Sequence, residues 1–152
     1  MINRASNNHP NLSFVLADAH NLALKDSKFD IMILSDIVND LWDVQKVFEQ
    51  IHPLCERHTR LILNLHSHLW EFPISIAKKL GLAVPALEQN WLEREDITNM
   101  MRLTGLEPVR IWQEFLFPIH LPMIDKLANR FLVRFWPFTE FSLTNLFVAC
   151  PK

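Results

Sequence analysis

The sequence predicts an α/β fold in which a doubly wound, mostly parallel sheet ends in an antiparallel C-terminal edge. Apolar runs at 29–35 and 59–65 alternate with segments whose apolar residues recur at helical spacing, a pattern typical of parallel strand–helix–strand units. The last two predicted strands, at 106–117 and 142–150, depart from this alternation, which favours a hairpin-like antiparallel pair. The length of 152 residues suits one domain.

The first half of the chain contains three predicted strands and one helix. LSFVLA at 12–17 and FDIMILS at 29–35 are short runs rich in apolar residues, which predicts buried strands. From Leu41 the apolar residues fall on one face at helical spacing, and Pro53 ends this helix. TRLILNL at 59–65 is the third predicted strand.

The second half contains further helices before the closing strands. FPISIAKKLG predicts a helix with Pro73 at its first position and Gly81 as its stop. The segment 93–105 has acidic residues in its first turn and ends on Gly105, which predicts a second helix with a left-handed cap. The segment at about 118–138 is strongly apolar with helical periodicity, so we expect a helical insertion there.

Composition and charge argue against several classes of protein. The net charge is −2 and basic residues form no stripe, so we expect no nucleic-acid partner. No stretch reaches the roughly 20 apolar residues of a membrane helix, and the polar N-terminus lacks the apolar core of a signal peptide. Cys55 and Cys150 lie far apart in sequence, which favours free thiols. We therefore expect a cytoplasmic protein.

Four short motifs, taken in order, resemble the later two thirds of a class I S-adenosylmethionine (SAM)-dependent methyltransferase of the type 11-like group. They are Asp18-Ala19 with Leu22, the segment from Phe29 to Asp36, TGLEPV at 104–109 and TNLFVACP at 144–151. The resemblance implies a Rossmann-like fold and SAM as the cofactor. It also implies transfer of a methyl group to an O, N or C atom of a small-molecule acceptor.

The resemblance assigns cofactor contacts to residues that follow two of the predicted strands. Asp18 would accept a hydrogen bond from the adenine amine, and the N–H of Ala19 would face a ring nitrogen. Ser35 and Asp36 would line the methionine side. Ligands of open α/β sheets bind beyond the carboxyl ends of the strands, which is where these residues are predicted to lie. The alternative for Asp18 is that it only turns the chain at a strand end.

Acceptor-side roles follow from the same resemblance. His66 would act as a base for the acceptor, and Trp70 and Trp91 would contact the substrate. The alternatives are a polar residue at the sheet edge for His66 and core packing for the tryptophans. His66 and His68 could share a metal, but no third ligand is marked by spacing, so we expect no metal site.

Glycine is scarce in this chain. The two glycines, Gly81 and Gly105, both lie at predicted helix ends, so none is left for the glycine-rich loop with which the family binds its cofactor. We therefore expect residues 1–152 to form a single partial methyltransferase domain without the N-terminal strands of the fold, weakly active or inactive alone. The alternative is a degenerate, non-catalytic binding or assembly module. An exposed sheet or the apolar helix could then support a homo-oligomer.

Overall fold

The computed structural model describes residues 2–24, 27–81, 90–114 and 141–152. The predicted helical insertion at 118–138 lies outside the described residues. Within them, helices and strands follow the order α1 (Ile2–Asn8), β1 (Phe29–Leu34), α2 (Val44–Ile51), β2 (Cys55–His66), α3 (Glu71–Lys79), α4 (Arg94–Leu103), β3 (Leu106–Glu114) and β4 (Thr144–Pro151). None of the described helices has the length and hydropathy that a membrane crossing requires.

The four strands form one sheet in the order β1-β2-β4-β3. β1 and β2 are parallel, whereas β4 runs antiparallel to both β2 and β3. The prediction of a mostly parallel sheet with an antiparallel C-terminal edge is therefore confirmed. Because His66 and Glu114 both pair with Thr144, the carboxyl ends of β2 and β3 meet the start of β4 at one edge.

The core lies between the sheet and the apolar faces of α2 and α4. Alternate residues of β2, Leu61, Leu63 and Leu65, are buried on this face, as the period of a strand requires. They pack in one cluster with Phe48 of α2 and Phe147 of β4. Burying a side chain of this size contributes roughly 1.5–3 kcal/mol, so this cluster holds the two helices onto the sheet.

Local signals set the helix ends. Asp43 caps α2 by accepting a hydrogen bond from the backbone N–H of Lys46 at 2.9 Å. Gly105 follows α4 with a φ of +80°, a left-handed conformation that glycine adopts without strain. The sequence predicts Pro73 at the first position of α3, but the helix begins at Glu71. Pro73 still lies in the first turn, where its missing N–H has no intrahelical partner to lose.

The predicted buried strand at 12–17 is wrong. This segment forms no strand, and Val15 and Leu16 are 75% and 87% exposed. A strand needs a hydrogen-bonded neighbour, and no described strand lies beside this segment. Apolar composition alone was therefore an insufficient signal.

One edge of the described sheet carries exposed apolar side chains. On its outer side, β1 has no neighbouring strand among the described residues. Phe29, Ile31 and Ile33 are exposed along it. An unpaired apolar edge can pair with another strand.

Candidate functional site

The tip of β1 presents a carboxylate in a constrained backbone position. Asp36 has a φ of 55°, in the left-handed region that Asp tolerates better than most residues. Its N–H donates to Asn64 Oδ1 at 2.9 Å, and Asn64 Nδ2 donates to Asp36 Oδ1 at 2.5 Å. Ser35 Oγ donates to the other carboxylate oxygen at 3.3 Å. Asn64 of β2 therefore orients the exposed Asp36 side chain at the carboxyl edge.

A buried asparagine connects the loop after β1 to the end of β2. Asn39, only 3% exposed, accepts a hydrogen bond from the N–H of His66 at 2.8 Å. Its Nδ2 donates to the carbonyl of Asn90 at 2.9 Å, and the Asn90 N–H returns a bond to the Asn39 carbonyl at 2.7 Å. Three segments are thus held together beside the sheet edge.

The same asparagine favours a proton on Nδ1 of His66. Asn39 Oδ1 is an acceptor, since it already receives the His66 N–H, and it lies 3.4 Å from His66 Nδ1. A hydrogen bond at this distance requires a proton on Nδ1. In the neutral ring, Nε2 then has the free lone pair.

Asp18 lies in a tight turn with an ionised side chain. Its Oδ1 accepts from the backbone N–H of His20 at 2.9 Å and contacts His20 Nδ1 at 3.2 Å. The backbone bond and then the ring bond lower the pKa of the Asp18 carboxyl below its ordinary value of 3.8. The Asp18 side chain is 67% exposed, whereas the neighbouring Ala19 packs partly against the core. The carboxylate can therefore reach a ligand from a fixed turn.

His20 attaches this turn to α2. The ring is 8% exposed and stacks on Trp42 at 4.3 Å between centroids. Its Nε2 accepts from the N–H of Asp43, the N-cap of α2, at 3.3 Å. Nδ1 must then carry the proton that is donated to Asp18.

The two predicted acceptor-side tryptophans flank the segment beyond β2. Trp70 Nε1 donates to the carbonyl of Phe141 at 2.8 Å, which orients its half-buried ring. Trp91 is half-buried directly before α4. A cleft of about 840 Å³ opens nearby, lined in part by Ser67, Leu92 and Asn145.

The predicted absence of a metal site stays a prediction. His68 Nδ1 lies 3.2 Å from Glu71 Oε2, whereas the ring of His66 contacts Asn39. In the part of the chain that the structure describes, no three His, Cys, Asp or Glu side chains cluster as metal ligands would.

The structure brings together some of the predicted site residues and separates others. Ser35, Asp36 and His66 lie at the tips of neighbouring strands, whereas the Asp18–Ala19 turn is attached to the N-terminus of α2. Trp70 and Trp91 lie beyond β2. Their functional roles stay predictions.

Sequence reasoning missed three polar residues that support these positions, His20, Asn39 and Asn64. It also missed Asn145, which lines the cleft. For Asn64 and Asn145 a signal existed, because each is a single amide within an apolar strand. For His20 and Asn39 the sequence contains no comparable signal of a role at the site.

The first 105 residues match the family model described as a methyltransferase domain. The chain belongs to this family. The resemblance stated from the four sequence motifs is therefore confirmed. No curated protein matches the chain in sequence.

Solved methyltransferases share the fold. The chain aligns over 100% of its length with magnesium protoporphyrin IX methyltransferase from Synechocystis PCC 6803, determined with bound S-adenosylhomocysteine (SAH), at 16% identity and a TM-score of 0.60. A SAM-dependent methyltransferase from Thermotoga maritima aligns over 90% at 15% identity and a TM-score of 0.66. A TehB-like SAM-dependent methyltransferase from Corynebacterium glutamicum aligns over 99% at 13% identity and a TM-score of 0.59.

The alignment covers only part of each solved structure. The chain spans 60%, 62% and 62% of the Synechocystis, Thermotoga and Corynebacterium proteins. At these identities the comparison establishes the Rossmann-like methyltransferase fold. The SAH bound to the Synechocystis protein and the SAM dependence of the other two agree with the cofactor that the sequence resemblance implies.

Proposed function

We propose that this chain binds SAM at the carboxyl edge of its sheet and contributes to methyl transfer to a small-molecule acceptor. The observation that carries the proposal is where the family match falls. The match covers Asp18, Asp36 and His66. Asp36 and His66 lie at the tips of the neighbouring strands β1 and β2. In open α/β sheets, this edge is where ligands bind.

The donor and acceptor groups available suit SAM. Both contacts to Asp18 involve Oδ1, so Oδ2 can accept from the adenine amine while the Ala19 N–H faces a ring nitrogen. The Asp36 carboxylate, with Ser35 beside it, is an acceptor for the ammonium of the methionine end. When bound, SAM supplies an electrophilic methyl group on a sulfonium.

The protein would act mainly by orientation, with His66 available for proton transfer. With Asp18, Ser35 and Asp36 holding SAM, its methyl group would be transferred to an O, N or C atom of the acceptor, and sulfur would keep the electron pair of the broken S–CH₃ bond. Where the acceptor is a hydroxyl, its proton passes to the free Nε2 of His66. Trp70 and Trp91 would flank the acceptor, and correct placement of the two reactants supplies most of the rate gain.

A non-catalytic module is the second candidate, and the exposed edge of β1 favours it. Phe29, Ile31 and Ile33 offer an apolar strand to which a partner or a second copy could add. In addition, the 152 residues contain no glycine-rich loop. Such a module would bind through β1 and not through Asp18.

We further propose a cytoplasmic location. Cys55 and Cys150 are both free, as expected for a reducing compartment. Burial raises the pKa of the Cys55 thiol, which keeps it protonated and unreactive at neutral pH.

The cofactor site can be tested by NMR titration of the whole chain with SAH. We expect shifts at the amides of Asp18–Leu22 and at Asp36. Because no glycine-rich loop holds the amino-acid end, the Kd should lie nearer the millimolar than the micromolar range.

Asp18→Ala should weaken SAH binding about 10- to 150-fold, since a hydrogen bond to a charged group contributes about 1.5–3 kcal/mol. The matched control is Asp30→Ala, which removes an exposed carboxylate at the opposite end of β1 and should leave the affinity unchanged. Equal affinity of wild type and Asp18→Ala would remove Asp18 from the site. Absence of any shift at the carboxyl edge would favour the non-catalytic module.

A further inference from the structure

The cleft beside α4 has an uncharged polar floor. It opens where α4 faces the carboxyl ends of β2 and β3 and the start of β4, and its volume of about 840 Å³ is in the range of small-molecule sites. Ser67 and Asn145 at its floor are buried, and Gln113 and Thr98 beside them are half-buried. All four carry hydroxyl or amide groups, which both donate and accept hydrogen bonds.

Asn145 is the most unusual residue of this floor. It lies on β4, opposite Leu65 of β2 and Gln113 of β3, on the face that also buries Phe147. Only 5% of the residue is exposed. Packing alone would favour an apolar residue on this face, whereas an amide that lines a cleft can bind water or a ligand. Asn145 is one of the residues that line the cleft.

Apolar and charged side chains form the rest of the cleft lining. Leu69, Leu92 and Ile111 line the cleft, so it can contact a hydrophobic body as well as polar groups. The charged residues come from α4 and the turn before it and include both signs. They are Glu93, Arg94, Glu95 and Arg102. Because the signs balance and the buried floor is neutral, a ligand with a net charge gains no charged partner at the floor.

We propose that this cleft is the acceptor subsite and that it takes a neutral small molecule with an apolar body and a hydroxyl or amide group, which Asn145 binds. This inference rests on the proposed methyltransferase function. Ser67 directly follows His66, and strands in a sheet lie about 4.8 Å apart, so the cleft begins one strand away from Ser35 and Asp36.

Four small probes of matched shape test the ligand class. They are benzamide and benzyl alcohol, which are neutral, and benzoate and benzylamine, which are charged at neutral pH. Each is titrated into the whole chain to about 20 mM, above the millimolar Kd that fragments of this size reach. We expect benzamide and benzyl alcohol to shift the side-chain amide signals of Asn145 and the charged probes to bind at least several-fold more weakly.

Two substitutions of Asn145 separate binding from folding. Asn145→Leu keeps the volume, and we expect it to weaken benzamide binding about 5- to 10-fold, as the loss of one hydrogen bond does, while the melting temperature stays equal or rises. Asn145→Asp should reverse the preference in favour of benzylamine. Asn8→Leu, on the exposed surface of α1 and away from the residues that line the cleft, is the matched control and should leave benzamide affinity unchanged.

The outcomes distinguish this inference from the proposed function. Preference for a charged probe, no shift at Asn145, or unchanged benzamide affinity in Asn145→Leu would overturn the subsite. A lower melting temperature of Asn145→Leu with unchanged probe binding would assign Asn145 a structural role and also overturn it. SAH shifts at Asp18 without benzamide binding would contradict the subsite alone. Benzamide binding without any SAH shift supports the neutral-ligand cleft and contradicts the methyltransferase function.

Discussion

Replacing Asn39 should destabilise the protein more than any single hydrogen bond suggests. Asn39→Ala removes the acceptor of the His66 N–H and the donor to the Asn90 carbonyl, at 2.8 and 2.9 Å. Because Asn39 itself is buried, water replaces these partners poorly. Each of these two buried groups left without a partner costs about 1–3 kcal/mol, so we expect a loss of about 2–6 kcal/mol in the free energy of unfolding. Domains of this size have about 5–15 kcal/mol in total.

Urea denaturation followed by tryptophan fluorescence and circular dichroism measures this loss. Hydrogen exchange of the His66 amide should accelerate in Asn39→Ala, because its acceptor is gone. The matched control is Gln45→Ala, which removes an exposed bond to Glu49 on α2 and should change stability by less than about 0.5 kcal/mol. The reasoning is refuted if Asn39→Ala lowers the free energy of unfolding as little as the control does and the His66 amide exchanges at the wild-type rate. The hydrogen bonds of Asn39 would then contribute nothing to stability.

Two further predictions concern a glycine and a carboxylate. Gly105→Ala should lower the melting temperature of the protein more than Gly81→Ala does. Both glycines have a positive φ, so both substitutions strain the backbone. An added Cβ at Gly105 would in addition lie 2.9 Å from His52 Nε2, whereas none of the described atoms lies within 4 Å of a Cβ added at Gly81. Equal losses would show that His52 moves away freely. The lowered pKa of Asp18 means that its contribution to stability is present above pH 3.8 and is lost as the pH falls through the lower folded value. In His20→Phe the ring bond is lost, so a carbon-13 NMR titration should show the Asp18 pKa move back toward 3.8; an unchanged pKa would leave the backbone bond as its whole cause.

Local sequence signals were sufficient wherever structure depends on neighbours in the chain. The helical spacing after Leu41 predicted α2, and the observed helix buries the face that this spacing defines. Gly105 was predictable as a left-handed cap because only glycine adopts that backbone without strain. TRLILNL was predicted as a strand, and it forms the greater part of β2.

Local sequence signals failed for the segment 12–17, which was predicted to be a strand. Its composition is that of a strand, but a strand exists only when another strand satisfies its backbone groups. No periodicity within six residues reports whether that partner is present.

By itself, the sequence determined α2, α3, α4, the positions of all four strands and, through the order of its motifs, the methyltransferase family. Only the tertiary structure decided which polar groups meet. Asn39 and His66 are 27 positions apart, and His20 and the Asp43 N–H are 23 apart. Asn145 becomes a buried amide in a cleft only because β4 lies between β2 and β3. Helix and strand periodicities describe a few neighbouring residues, whereas these contacts depend on how distant segments pack in three dimensions.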